Sequence, residues 1–275
     1  NFNIPAATFN GLGYVTATDN NITSTAGKYN SVSFWMSWNG VTDMIPFSFN
    51  SPISSPNGNY SLWFASSTCF GFSTGNGDVY GVNAALLNKK WVFVTAEFYN
   101  GQESSSLLYI NGQKQKASQC AGNTKSSYAG PKIQVSGWYN NANKRFNRSI
   151  TNLQIYNTSL TSAQVFQLYE RGISGQPLNT NSFTGWFILR NDASDYSGYA
   201  DPSTASANVV YTLINNYTRD SVSPVQIPTN ATVLPGLLSC RNSAQCTNFS
   251  SSHLFLGSNP LEMQSQLGQT GSFNA

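Results

Sequence analysis

Eleven side-chain carboxyls in 275 residues limit the chemistry this chain can perform. Glycoside hydrolysis uses two of them facing each other across the scissile bond. Glu97 and Glu103 are close in sequence, but Asn100-Gly101 lies between them, so they read as hairpin neighbours and not as partners on one strand face. Asp192, Asp195, Ser197 and Asp201 form the densest oxygen cluster, with Asp19, Asn20 and Asn21 a second one. Calcium takes about six to eight hard oxygens, which such loops can supply. The competing reading is Asx turns that merely hold the loops. His253 follows three serines without a Gly-x-Ser-x-Gly elbow, so a Ser-His-Asp triad is not indicated. One histidine and four scattered cysteines give no zinc ligand set. Gly75-Asn76-Gly77-Asp78 is a turn with no following Gly-Lys-Ser/Thr, not a phosphate cradle. Trp38, Trp63, Trp138, Tyr139 and Tyr199 are the rings that could carry a sugar platform, although rings in β proteins mostly pack.

Composition narrows the class. Charged residues are 9% and aromatics 13%, the reverse of a disordered chain. Asn occurs 33 times and Ser plus Thr 60 times, so the surface is neutral and polar. The net charge of +3 is spread out, and Lys144, Arg145 and Arg148 form its one small cluster. It reads as a solvated hairpin tip, with no nucleic-acid role. No apolar run is long enough for a membrane span. The chain starts at Asn1 and not Met, as a processed or cut chain does. Cys240 and Cys246 enclose a short polar loop and read as a local disulfide. That leaves Cys69 with Cys120, one of the three pairings four cysteines permit. An oxidising exterior fits this usage. Sequons stand at Asn21, Asn59, Asn147, Asn157, Asn216, Asn230 and Asn248, about the number this composition produces at random, so glycosylation is allowed without being singled out.

The elements come next. Short alternating strands separated by Asn-Gly pairs at Asn10, Asn39, Asn57, Asn76, Asn100 and Asn111 are the pattern of a sandwich or barrel. Phe34, Met36 and Trp38 alternate with Ser33 and Ser37, predicting one buried and one exposed face. A single helix is predicted after Leu153-Gln154-Ile155-Tyr156. Thr161 and Gln164 have capping-box spacing, Val165, Phe166, Leu168 and Tyr169 form its apolar face, and Gly172 ends it. A helix of about three turns is not stable alone, so that face must dock on a sheet.

These blocks, in this order, resemble the laminin-G-like, concanavalin-A-like jelly-roll family. Phe9–Val15 resembles its opening strand, Val32–Trp38 its apolar-x-Phe-Trp strand, and Trp91–Phe98 its tryptophan-then-valines strand. Leu107–Gln113 resembles its Leu-Tyr-x-Asn-Gly hairpin, and Phe146–Gly172 its last strand and closing helix. The resemblance covers roughly residues 9 to 175 and implies an all-β jelly-roll sandwich with one short helix. It also implies edge-loop calcium in some members. Here Ile150-Thr151-Asn152 lacks the carboxyl that relatives carry there, which argues against a sandwich-edge site; Asp192, Asp195 and Asp201 are the first calcium candidates, with Asp19, Asn20 and Asn21 the second. Hydrolases of this sandwich place acids on one strand as Glu-x-Asp-x-x-Glu, and no such run exists.

A boundary is predicted near Ser174–Pro177, giving a sandwich over 1–175 and a smaller β-rich domain or elaboration over 176–275. Trp186–Tyr199 resembles the Trp-x-Leu…Asp-x-Ser-Gly opening found in other laminin-G-like modules, and a truncated repeat is the alternative for this region. The functional expectation is a non-catalytic extracellular surface protein, acting in adhesion or glycan contact, whose partners are glycans or neighbouring copies of itself. Two alternatives stand beside it. One is a filament or envelope subunit assembled by strand exchange, with Phe2 and Ile4 in the extended terminal segment as the candidate donor. The other is a glycoside hydrolase. Few carboxyls also mean little to drive acid unfolding, as in exported proteins of acid-loving microbes, archaea among them.

Overall fold

The structure is a computed structural model that describes residues 4–50, 59–88, 90–138, 143–199, 201–214, 239–240 and 273–274. The strands are β1 (Ile4–Thr8), β2 (Val15–Thr18), β3 (Tyr29–Ser37), β4 (Met44–Asn50), β5 (Asn59–Ser66), β6 (Cys69–Ser73), β7 (Val79–Val82) and β8 (Trp91–Tyr99). They continue with β9 (Leu107–Ile110), β10 (Gln113–Lys114), β11 (Ser118–Ala121), β12 (Lys132–Val135) and β13 (Ser149–Tyr156). Helix α1 (Ser162–Glu170) follows, then β14 (Phe183–Phe187), β15 (Ser203–Ala205) and β16 (Val210–Ile214). A back sheet runs β10-β9-β8-β3-β13-β1-β16, with β14 also paired to β13, and a front sheet runs β11-β7-β6-β5-β4-β12-β2-β15. The pairings within both are antiparallel, and the two sheets form the expected jelly-roll sandwich.

Alternation places the core between the sheets. Val32, Phe34 and Met36 of β3 face Phe47 and Phe49 of β4 and Leu62 and Phe64 of β5. Phe98 sits amid this core, with Phe49 at 5.1 Å, Tyr60 at 4.9 Å and Phe72 at 5.0 Å between ring centroids, all edge to face. Such pairs add about 0.5–1.5 kcal/mol each beyond the buried area. Gly71 and Gly81 pair across β6 and β7, and a Cβ on either would lie 2.2 Å or less from a neighbouring carbonyl oxygen. Only glycine fits there.

The helix starts and stops where the sequence predicts. Gln164 N donates to Thr161 Oγ1 at 3.2 Å, Thr161 N donates to Gln164 Oε1 at 2.8 Å, and Gly172 takes φ +74°. Tyr169 stacks on Trp35 at 5.8 Å and approaches Phe93 at 6.2 Å, so α1 covers the outer face of the back sheet. Ser33, predicted on an exposed face, is therefore buried.

The chain does not part at residue 175. Its first compact unit runs to Thr218 and the second spans Arg219–Ala275. Residues 176–214 complete the first sandwich, because β14 and β16 extend the back sheet and β15 the front sheet. Trp186–Tyr199 is thus a strand and loop of this sandwich, not the opening of another. In the second unit the described strands are β17 (Ser239–Cys240) and β18 (Phe273–Asn274), paired antiparallel. The segment predicted as an exchangeable arm is in its own sheet. Ile4–Thr8 pairs with β16 along its length and with β13 at Ala7 and Thr8, and Ala6 and Ala7 are fully buried. Phe2 lies outside the described residues. Cys69 and Cys120 form a disulfide with Cα atoms 5.8 Å apart, joining β6 to β11. Cys246 and the Cys240 side chain lie outside the described residues. Among the described residues no helix is long and apolar enough to cross a membrane.

Candidate functional site

The link between β14 and β15 crosses from the back sheet to the front sheet, and its residues are pinned at several points. Leu189 and Ala193 are buried in the core. Ile188 O accepts Asn152 N and Thr151 Oγ1, each at 2.9 Å. Leu189 holds φ +55°, a left-handed conformation that costs a non-glycine residue about 1–2 kcal/mol and that its burial offsets. The link then folds back on β14, with Tyr196 N donating to Trp186 O at 2.7 Å. Asp195 fastens the fold-back. It accepts Trp186 N at 3.0 Å and Ser197 N at 2.9 Å on Oδ1, and Ser197 Oγ at 2.6 Å and Asp201 N at 3.2 Å on Oδ2.

An open concavity of about 220 Å³ results, lined by Ile188, Arg190, Asn191, Asp192 and Tyr196. Tyr196 is 49% exposed, meets Trp186 edge to face at 6.4 Å, and donates its hydroxyl to Asp192 Oδ2 at 3.1 Å. That bond pushes the Tyr196 phenol above its ordinary range. Arg190 reaches Ile173 O at 3.5 Å, while its buried Nε has no hydrogen-bond partner. Burial lowers its pKa, yet a guanidinium remains charged. Tyr199, 54% exposed, lies further along the same loop. An aromatic wall beside guanidinium, carboxamide and carboxyl groups can engage hydroxyl-rich ligands through stacking and paired hydrogen bonds. Among the described residues that line it there is neither a nucleophile with a base nor two facing acids.

Of the residues predicted for calcium, Asp192 and Asp195 form Asx turns, Asp192 with Ser194 N at 3.0 Å and Asp195 with Ser197 N. Asp201 lies instead with Asp19, across the end of the β2–β15 ladder. Asp201 Oδ2 is buried without a partner, and burial, with the charges of Asp19 and Asp195, raises its pKa to about 7. Asp19 accepts Thr184 Oγ1 at 2.7 Å and Asn21 N at 2.8 Å, and burial raises it as well. Among the described residues, no three Asp, Glu, His or Cys side chains converge on one metal position.

The acids considered for hydrolysis are separated by their surroundings. Glu97 is fully buried on the outer face of the back sheet, where Ser159 Oγ donates to it, and burial pushes it to about 7. Glu103 lies beside Asp78, a pairing the sequence spacing does not reveal, and both are fully buried, out of reach of a substrate. His253 lies outside the described residues. The candidate rings also sort by burial. Trp38 is buried and stacked on Phe64 at 4.3 Å, and Trp138 is nearly buried. Trp63 is half-buried beneath the Lys144 ammonium at 4.3 Å. Tyr139 lies outside the described residues. Tyr196 and Trp186, which spacing alone did not single out as a platform, line the concavity or brace it.

The basic cluster is not a solvated tip. Lys144 pairs with Asp43, and Arg145 stacks on Tyr14 at 4.2 Å and donates to Ser136 O at 2.8 Å, while Arg148 is exposed. Among the sequons, Asn21 is exposed and Asn147 and Asn157 are half-buried. Asn59 is fully buried in β5, so a glycan there has no exit from this fold. Asn216, Asn230 and Asn248 lie outside the described residues.

Two stacked antiparallel sheets with a docked helix and a loop concavity at the sheet edge define a lectin-like jelly-roll module. The chain belongs to the concanavalin A-like lectin/glucanases superfamily, whose family model matches residues 9–166. No curated protein matches it in sequence. A putative carbohydrate binding protein from Bacteroides ovatus shares the fold at TM-score 0.53 and 10% identity, over 78% of this chain and 61% of that one. This chain therefore spans about three-fifths of that protein's length. A heptameric pentraxin from Limulus polyphemus is similar at TM-score 0.47 and 13% identity, over 78% of this chain and 98% of that one. Domain 4 of the arabinanase AbnA from Geobacillus stearothermophilus, solved with arabinotriose, is similar at TM-score 0.41 and 21% identity, over 58% of this chain and 74% of that one.

Proposed function

We propose that the chain is a non-catalytic carbohydrate-contact module of an extracellular surface, and that the loop 188–199 is its contact face. The observation that carries this reading is the convergence of Tyr196, Arg190, Asn191 and Asp192 on one open concavity in a loop held by Asp195, Leu189 and Ala193. The ring offers a sugar an apolar face, and the polar groups both donate and accept. The Cys69–Cys120 disulfide fits an oxidising exterior. Asn21, Asn147 and Asn157 are the described sequons with an exit for a glycan, and mass spectrometry of native material reads their occupancy.

The test is binding of the full chain to an array of neutral and acidic glycans, followed by Tyr196→Ala and Arg190→Gln. Either change is expected to weaken the best ligand about tenfold or more, the loss of one interfacial anchor, with Tm unchanged. Binding that survives both changes refutes the assignment. Turnover of any soluble or insoluble polysaccharide refutes the non-catalytic reading. The calcium expectation for Asp192, Asp195 and Asp201 is tested in the same way: a Tm that responds to neither calcium nor EDTA removes it.

A further inference from the structure

Away from that loop, Glu103 and Asp78 are each at 0% exposure, and β11, whose Gln119 bonds Glu103, pairs with the β7 strand that follows Asp78 and so brings the two acids together. Asp78 is the better supplied. It accepts hydrogen bonds from Thr74 N, Thr74 Oγ1 and Asn76 N, each at 3.0 Å. Glu103 Oε1 accepts Gln119 Nε2 at 3.1 Å, whereas Glu103 Oε2 is buried without a hydrogen-bond partner. Among the described residues, neither acid is in an ion pair. Besides Asp78, the described elements packed around Glu103 bring the following groups. β5 brings Tyr60, whose hydroxyl bonds Tyr99 O at 3.1 Å and Ser106 Oγ at 2.6 Å. β11 brings Gln119. The following segment brings Lys125, which accepts Glu103 N on its backbone oxygen at 3.1 Å while its side chain is exposed.

A buried acceptor beside an orphaned carboxyl oxygen is complementary only if that oxygen carries a hydrogen. We propose that Glu103 is a carboxylic acid in the folded protein and shares its proton with Asp78, and that this proton clasps the turn at 74–78 to the turn at 103–105. Burial, then Asp78, raises the Glu103 pKa to about 9, in keeping with that geometry. The backbone that carries Asp78 is packed closely against the end of β11. A Cβ on Gly122 would lie 2.7 Å from Gly77 O, and the Cys69–Cys120 disulfide ties β11 to β6 alongside. Loss of the proton therefore sets two buried like charges against each other. The clasp stays shut in acid and loosens in base.

Infrared difference spectroscopy of the full chain against Glu103→Gln at pH 7.5 tests this. A protonated carboxyl C=O band in the wild type, absent from the variant, is expected. Gln can donate to Asp78 without a titratable proton, so Glu103→Gln should also lose less Tm than the wild type between pH 7 and pH 10. If that variant fails to fold, Asp78→Asn decides, because removing the neighbouring charge should move loss of the band to lower pH. No band at pH 7.5, or equal losses of Tm in the wild type and Glu103→Gln, overturns the proposal.

Discussion

Phe98 shows how much one residue carries here. Its ring meets Phe47, Phe49, Tyr60 and Phe72 at 4.9–6.1 Å, and no water replaces it if it is removed. Phe98→Ala is expected to destabilise the sandwich by about 3–5 kcal/mol, read from denaturant unfolding with an unchanged slope. A loss below about 1 kcal/mol would mean that the core relaxes around the gap. The strand that carries Phe98 is legible from alternation, because inward residues recur at every second position. The partners of Asp195 are not. Its four donors come from Trp186, Ser197 and Asp201, and what makes it a latch is the fold-back of the loop on β14. An Asp-x-Ser spacing looks the same whether it holds a loop or an ion.

At the scale of elements, β1 is the most exposed to test. It fills a slot between β13 and β16, yet its contact with β13 is confined to Ala7 and Thr8. Deleting residues 1–8 removes a row of backbone hydrogen bonds from the back sheet and uncovers the edges of both neighbours. A lower Tm is expected, together with rescue by an added peptide of sequence Ile4–Thr8. An unchanged Tm would mean that the strand contributes nothing and is free to leave its sheet. Rescue by intact neighbouring chains, seen as filaments by electron microscopy, would support assembly by strand exchange. The helix was readable in full, because its cap and stop are local hydrogen bonds and a local φ. The place of β14, β15 and β16 was not, because they join sheets whose other strands precede them by up to 210 residues, as Ile4 does Ile214.

At the scale of the whole molecule, the buried acids set the pH response. Glu97 and Glu103 are raised from 4.5 to about 7 and about 9, in each case by burial first. Between each pair of values the folded chain holds a proton that the unfolded chain has released. Stability therefore falls as pH rises, by about 1.4 kcal/mol per pH unit for each such proton, and these groups favour folding most below pH 4.5. Thermal melts should give a higher Tm at pH 4 than at pH 8. Cooperative unfolding near pH 4 would contradict both this account and the acid habitat suggested by so few carboxyls.

Strand alternation, Asn-Gly turns, the capped helix and the order of aromatic blocks were set by the sequence alone, since each is a relation between neighbours on the chain. Tertiary structure decided that residues 176–214 finish the first sandwich, that Tyr196 and Arg190 share a concavity, and that Asp78 meets Glu103. Those are meetings between strands and loops far apart in sequence, and only the closing of two sheets on one core brings them together.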